Sequence, residues 1–311
     1  MSFTKEIKQE VSYNELKECC IKAELSALVQ LTSSLSIRNQ KLQLVVKSEN
    51  PTTVKRIASL LKEVYPVETE LSTHQKTQLK KNNVYHLTIL DNAINLLEFL
   101  GLYSSNGLLN YPRFSIVAKN CCARAYLAGA FIAYGSCNAP SKTNYHLEIA
   151  LNEEAHANFI IKLLERFNIE AKTSKRRNKI IVYIKKADSI SDFLRCIGAH
   201  ESLMNFENMR INRDFKNSLI RLNNCEIAND IKSMEACKKQ MEMMQNIIDS
   251  GLYNDLDDKL KEIVDLRMQN PDCSLAELCD EYQKIYGQSI SRSGLNHRLN
   301  KLKKLSLGVN K

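Results

Sequence analysis

What this 311-residue sequence lacks sets its first limits. No apolar run approaches the roughly 20 residues needed to cross a bilayer, so no membrane partner is expected. The start, Met-Ser-Phe-Thr-Lys-Glu-Ile-Lys-Gln-Glu, carries acids and has no apolar core, so it does not read as a secretory leader. Ten cysteines without framework spacing, in a chain of this size, read as reduced thiols in a cytoplasm. Along the sequence there is no Cys-x-x-Cys and no His/Cys cluster, which argues against structural zinc. No phosphate loop or nucleophile–base pair stands out either. On these grounds no metal and no cofactor is expected.

The length suits about two domains, each able to bury a core. Apolar content of 44% and charged content of 25% are ordinary for a folded soluble chain. The net charge of +9 favours polyanionic partners, a weak argument for nucleic acid when taken alone.

The chain contains an internal repeat. Residues 23–34 (AELSALVQLTSS) align without a gap on 125–136 (AYLAGAFIAYGS), and a cysteine pair, Cys19-Cys20 or Cys121-Cys122, precedes each copy at the same offset. After the first copy come β-like runs at 35–37 and 42–47, then a helix opened by Pro51 with Val54, Ile57, Leu60, Leu61 and Val64 at helical spacing. Strands at 67–72 and 84–90 follow, and Asp91 is placed to cap a short helix to residue 100. The second copy repeats the order, with a hairpin containing 145–151, a helix over 153–167, strands at 169–173 and 179–184, and a last helix starting at Asp188 or Ser189. Helix–hairpin–helix–hairpin–helix, twice, is a pseudo-two-fold α+β architecture. Ala23, Ser26, Ala27, Ala128, Gly129 and Ala133 are small enough to let two central helices cross closely. The tandem cysteines read as small buried apolar groups.

The second copy, Leu-Ala-Gly-Ala-Phe-Ile-Ala-Tyr-Gly, resembles the LAGLIDADG helix of homing endonucleases. The resemblance implies a saddle of two β-sheets, with an acidic residue ending each motif and binding the catalytic divalent metal. Here those positions hold Thr32 and Tyr134. Hard cations need carboxylate oxygens, so the scaffold is expected without the nuclease. Lys172, Lys175, Arg176, Arg177, Lys179, Lys185 and Lys186 lie across one hairpin of the second copy with no acid among them. Of these, Lys175, Arg176, Arg177 and Lys179 are candidate DNA-facing groups. Lys76, Lys80 and Lys81 cluster around the equivalent turn of the first copy.

From residue 201 to 254 a long stretch without proline suits a helical connector in one or two segments. Residues 255–311 read as a helix-turn-helix domain. A first helix over 256–268 stops before Pro271, and Ser274-Leu275-Ala276-Glu277 forms a capping box. Gly287 supplies a left-handed turn, and Ser289 or Ser291 caps a third helix that buries Leu295, Leu299 and Leu302. Residues 256–288 hold eight acids against four bases, whereas residues 289–311 hold six bases and no acid. A wholly basic third helix on an acidic support suits insertion into a major groove, because nothing on it repels phosphate. Candidate DNA contacts are Ser274, Ser291, Arg292, Ser293, Asn296, His297, Arg298, Lys301, Lys303 and Lys304. Arg292 suits guanine and Asn296 adenine, while Lys301, Lys303 and Lys304 suit phosphates.

Segments 20–35, 126–149 and 206–229, together with Ser291-Arg292-Ser293-Gly294-Leu295-Asn296-His297-Arg298-Leu299, resemble the WhiA family of bacterial DNA-binding regulators over nearly the full length. The resemblance implies a degenerate homing-endonuclease scaffold, 1–100 and 101–200, joined through 201–254 to the helix-turn-helix. It also implies a non-catalytic regulator of transcription, cell division and chromosome segregation. Such a protein is cytoplasmic and nucleoid-associated, with double-stranded DNA and other transcription or division proteins as partners. A ligand-sensing repressor using the repeats as sensor is the alternative, and a residual endonuclease is disfavoured by Thr32 and Tyr134.

Overall fold

Residues 2–38, 41–75, 83–142 and 144–308 are described by the computed structural model. A short helix, α1 (Phe3–Ser12), precedes the first motif helix, α2 (Glu18–Thr32). Then come the hairpin β1 (Ser33–Arg38) and β2 (Lys41–Ser48), α3 (Pro51–Val64), a second hairpin β3 (Thr69–Gln75) and β4 (Asn83–Ile89), and α4 (Ala93–Phe99). The small ribbon β5 (Tyr103–Ser104) and β6 (Gly107–Leu108) leads to the second motif helix, α5 (Asn120–Tyr134). The sequence of elements then repeats as β7 (Gly135–Cys137), β8 (Leu147–Leu151), α6 (Glu154–Glu165), β9 (Lys172–Arg176), β10 (Lys179–Ile184) and α7 (Ala187–Cys196). Four α-helices complete the described residues: α8 (His200–Asp249), α9 (Asp258–Gln269), α10 (Leu275–Tyr286) and α11 (Arg292–Gly308).

The two halves build the same sheet. Strand order is β1-β2-β4-β3 in one and β7-β8-β10-β9 in the other, and every pairing is antiparallel. Successive side chains of a strand point to opposite faces. Leu44, Val46, Leu87 and Ile89 of the first sheet, and Leu147, Ile149, Leu151, Val182 and Ile184 of the second, are buried on the helix-covered faces. The opposite faces are left for other uses. By contacts the chain separates into two compact units, Met1–Arg213 and Asp214–Lys311. The connector is one helix, α8, rather than two segments.

At the centre of the first unit α2 packs on α5. Gly129 permits this crossing: a Cβ built there would lie 2.6 Å from the backbone oxygen of Glu24 and 3.0 Å from the Cβ of Ala27. Backbone cannot retreat from such a contact as a flexible side chain can. Beside the crossing, Glu24 is only 1% exposed, and its Oε1 accepts from Arg56 Nε at 2.7 Å. Burial pushes the Glu24 carboxyl up from its ordinary value, and the Arg56 guanidinium opposes that rise. In the second half Tyr126 takes the position of Glu24. Its hydroxyl meets Gln30 Oε1 and His156 Nε2, both at 2.9 Å, and its ring lies edge-on to Phe159.

Several local expectations are corrected. Asp91 does not cap α4; the N-cap is Asn92, held left-handed at φ 60°, and Asp91 instead pairs with Lys41. The strand expected at 169–173 begins at Lys172, because Asn168 adopts φ 57° and Ile169 is buried behind α6. Helix α7 starts at Ala187, with Lys186 as its N-cap rather than Asp188 or Ser189. Thr32 back-bonds within α2, its hydroxyl donating to the Leu28 carbonyl at 2.6 Å.

Gly129→Ala is expected to destabilise the first unit by about 1–3 kcal/mol, the usual range for overpacking; chemical denaturation of purified protein measures this. A second expectation concerns His156, whose burial pushes its pKa down from 6.5 to about 4. The folded form excludes a proton that the unfolded chain takes up, so this contribution is complete above pH 6.5 and is lost as pH falls towards 4. The loss is on the order of 3 kcal/mol. In His156→Gln the stability curve should flatten across that window.

Candidate nucleic-acid interface

The second unit is set by its caps. Asp257 accepts from Leu260 N at 2.9 Å to start α9, and Ser274 and Glu277 form the reciprocal capping box of α10. Gly287, at φ 67°, ends α10. Ser291 Oγ then accepts from Gly294 N at 3.1 Å to start α11. Leu295, Leu299 and Leu302 are buried against Leu260, Ile263 and Leu278. The guanidinium of Arg267, 1% exposed, donates to the Cys273 carbonyl at 2.6 Å and secures the turn between α9 and α10.

The structure divides the expected contacts on α11 into two sets. Arg292, Ser293, Asn296, His297, Lys303 and Lys304 are exposed, together with Asn300. At helical spacing, Arg292, Asn296 and Asn300 form one row and Ser293, His297 and Lys304 the next. Arg298, half-buried, and Lys301, itself exposed, also make contacts to the supporting helices. Arg298 Nη1 donates to the Tyr282 hydroxyl at 3.1 Å, its guanidinium lies over the Tyr282 ring, and Glu262 is 4.0 Å away. Lys301 Nζ meets Asp257 Oδ2 at 3.1 Å and holds that carboxyl below its ordinary range. Ser274 and Ser291 have their oxygens committed to caps. Asn296, Asn300 and Lys303 also line a groove of about 460 Å³ with Lys239, Gln240 and Asn246 of α8.

Strand register sorts the hairpin bases in the same way. On β9 and β10, Lys172 is opposite Tyr183 and Arg176 opposite Lys179, and these share the face of Glu148 and the buried Ile181, opposite to that of Leu147, Ile149, Leu151, Val182 and Ile184. Lys175 pairs with Ile180 on the other face and reaches Glu154 of α6 at 4.0 Å, so it does not belong to the open face. Arg177 forms the turn at φ 54°. Arg176 lies 3.8 Å from Glu148, which also meets His146 Nε2 at 2.9 Å. The first sheet presents Lys47, His74 and His86 on its corresponding face, the two imidazole rings 4.8 Å apart. Lys76, Lys80 and Lys81 lie outside the described residues.

The motif ends have been rebuilt as well. Thr32 is buried with its hydroxyl turned back into α2. Tyr134 is 39% exposed, and Lys179 Nζ lies 4.6 Å from its ring centroid. A cation already occupies the face where a carboxylate-bound metal would require negative charge.

One constellation escaped sequence reading. Cys19 and Cys20 stand at the start of α2, and Cys121 and Cys122 at the start of α5, and all four Sγ atoms lie within 4.8 Å of one another. The expectation that the cysteines form no cluster is therefore corrected. Spacing along the chain conceals the group because each repeat supplies only half. The matched offset of the two Cys-Cys pairs was the available signal, once the motif helices are paired.

A duplicated α+β scaffold carrying a helix-turn-helix defines a class of DNA-binding architecture. Three family models match successive parts of the chain: the WhiA N-terminal LAGLIDADG-like domain over residues 18–103, the WhiA LAGLIDADG-like domain over 123–216, and the WhiA C-terminal HTH domain over 219–306. The probable cell division protein WhiA of Geobacillus sp. (strain WCH70) is 43% identical over 308 residues, covering 98% of this chain and 95% of the relative. That of Bacillus licheniformis is 42% identical over 308 residues, covering 98% and 96%. This chain belongs to the WhiA family. The crystal structure of full-length WhiA from Thermatoga maritima shares its fold, with a TM-score of 0.61 and 22% identity over 98% of each chain.

The division of α11 has a measurable consequence. Arg298→Ala should destabilise the second unit by about 1–2 kcal/mol, because it removes a charged hydrogen bond to the Tyr282 hydroxyl and the guanidinium packed over that ring, while Tyr282 keeps its bond to Glu262. Arg292→Ala, exposed and uncommitted, should stay within about 0.5 kcal/mol of the parent. Hydrogen exchange of amides in α10 and α11 distinguishes the two.

Proposed function

We propose that this chain is a non-catalytic DNA-binding protein that regulates transcription and serves cell division and chromosome segregation. The observation that carries the reading is the open face of α11. Arg292, Ser293, Asn296, His297, Asn300, Lys303 and Lys304 are exposed together on a helix with no acidic residue. The acids of the domain lie on α9 and α10, where Asp257 and Glu262 brace that helix from behind. Asn and Arg near the start of the helix suit base edges, and the later lysines suit phosphates. The role in division rests on the relatives, which are named as probable cell division proteins.

In this reading 1–100 and 101–200 are the halves of the degenerate scaffold, 201–254 is the connector and 255–311 the sequence reader. The open face of the second sheet, with Lys172, Arg176 and Lys179, adds phosphate contacts. Double-stranded DNA is the principal partner, with other transcription or division proteins as a second class, and the protein is cytoplasmic on the nucleoid. Neither motif end supplies a carboxylate, so plasmid incubated with the protein and Mg²⁺ or Mn²⁺ should remain uncut.

The decisive experiment is binding to genomic fragments recovered by crosslinking. Arg292→Ala or Asn296→Ala should weaken the preferred site by about 1–3 kcal/mol and relax sequence preference. Lys304→Ala should weaken all sequences alike. Neutralising Lys172, Arg176 and Lys179 together should flatten the slope of log K against log salt by roughly 2–3 units, at about 0.9 per phosphate. An unchanged slope would restrict DNA contact to the second unit, and an unchanged preference in both Arg292→Ala and Asn296→Ala would remove α11 as the reader.

A further inference from the structure

The cysteine group has the geometry of a metal centre. Each pair places its own sulfurs 3.9 Å apart, and all four lie within 4.8 Å. A tetrahedral ion with Zn–S bonds of about 2.3 Å needs sulfurs about 3.8 Å apart. The within-pair spacing already meets this, and closing the remainder takes an adjustment of roughly 1 Å at most, within side-chain rotation. An iron–sulfur cube would spread four thiolates wider than this, so the opening suits a single ion.

The surroundings supply positive charge to offset the burial of the thiols. Both pairs occupy the first turns of their helices, where free N–H groups and the helix dipole stabilise negative charge. The residues before these helices, Lys17 and Lys119, are both basic, and Arg124 lies one turn further along α5. Four thiolates around a divalent ion carry a net charge of −2, and these three cations can balance it. Without an ion, burial first and hydrogen bonds to neighbouring cysteines second push the thiols of Cys20 and Cys122 up to about 12. Cys121 is lowered instead, because hydrogen bonds from Cys20, Cys122 and Cys19 outweigh its slight burial. A cleft of about 530 Å³, lined by Lys17, Cys20, Cys121 and Arg124, provides a path for an ion.

We propose that Cys19, Cys20, Cys121 and Cys122 form a tetrathiolate site for one zinc ion, joining the starts of α2 and α5. Binding displaces four thiol protons and forms four Zn–S bonds, two from each repeat. Soft thiolates select zinc over hard cations such as Mg²⁺. The site lies at the end of the motif helices opposite Thr32 and Tyr134, so it is no remnant of the nuclease centre. Its role is to fasten one repeat to the other.

The test uses untagged full-length protein, reduced, stripped with chelator and titrated anaerobically with Co²⁺ and then Zn²⁺. One Co²⁺ per chain should bind with thiolate charge-transfer and tetrahedral d–d bands, and Zn²⁺ should displace it. Affinity should fall steeply with decreasing pH, since thiolates must be deprotonated. Cys121→Ser, at an exposed position, should keep the fold by circular dichroism and weaken Co²⁺ binding at least tenfold. Cys225→Ser, on α8, should leave it unchanged, and zinc should raise the melting temperature of the parent but not of Cys121→Ser. Six-coordinate Co²⁺ spectra, no stoichiometric binding, equal binding by Cys121→Ser, or a disulfide between the pairs that forms in the presence of zinc would each overturn the assignment.

Discussion

Everything in the first unit is referred to the crossing of α2 and α5. Two helices approach this closely only when a backbone oxygen of one can occupy the space where the other would carry a Cβ. Gly129 and the Glu24 carbonyl are that meeting. Once it is fixed, each motif helix delivers its own hairpin at its C-terminal end and its own cysteine pair at its N-terminal end. The sheet faces and the thiol group are both consequences of one contact, reached from opposite ends of the same helices.

The second unit has a different organising interaction. Its three short helices are each started by a side-chain oxygen, from Asp257, Ser274 or Ser291. Electrostatics then separates duties. Glu262 faces Arg298 on the half-buried side and Asp257 pairs with Lys301 at the surface, while Arg292, Lys303 and Lys304 have no ion pair among the described residues. A helix that kept all its cations outward would bind any polyanion. One that spends two of them on its own support retains a smaller and better-defined set.

Local signals in the sequence were strong where chemistry repeats at fixed spacing. The capping box of α10, the proline opening α3 and the small residues of the motif could be read before any fold was known, because each has a local physical cause. Strand faces were not legible in the same way. Lys175 and Arg176 are neighbours in sequence, yet register puts them on opposite sides of a sheet, and register depends on partners distant in the chain. Arg298 looked like its basic neighbours on α11 until Tyr282 was placed against it. The cysteine group needed the pseudo-symmetry itself, since no single segment contains it.

The contact beside the crossing is satisfied by unlike chemistry in the two halves. Glu24 and Arg56 form a buried ion pair, whereas Tyr126 and Phe159, at the matching positions, form an aromatic one. Had two separate copies of one repeat met here, both sides would have been obliged to use the same pair. Covalent fusion removed that obligation, and the outward faces have diverged too, Lys47 with two imidazoles on the first sheet and two lysines with an arginine on the second. The molecule therefore has a head and a tail. An extended partner laid along both sheets would meet a different surface at each end, so it would fit in one direction only and need not be a palindrome.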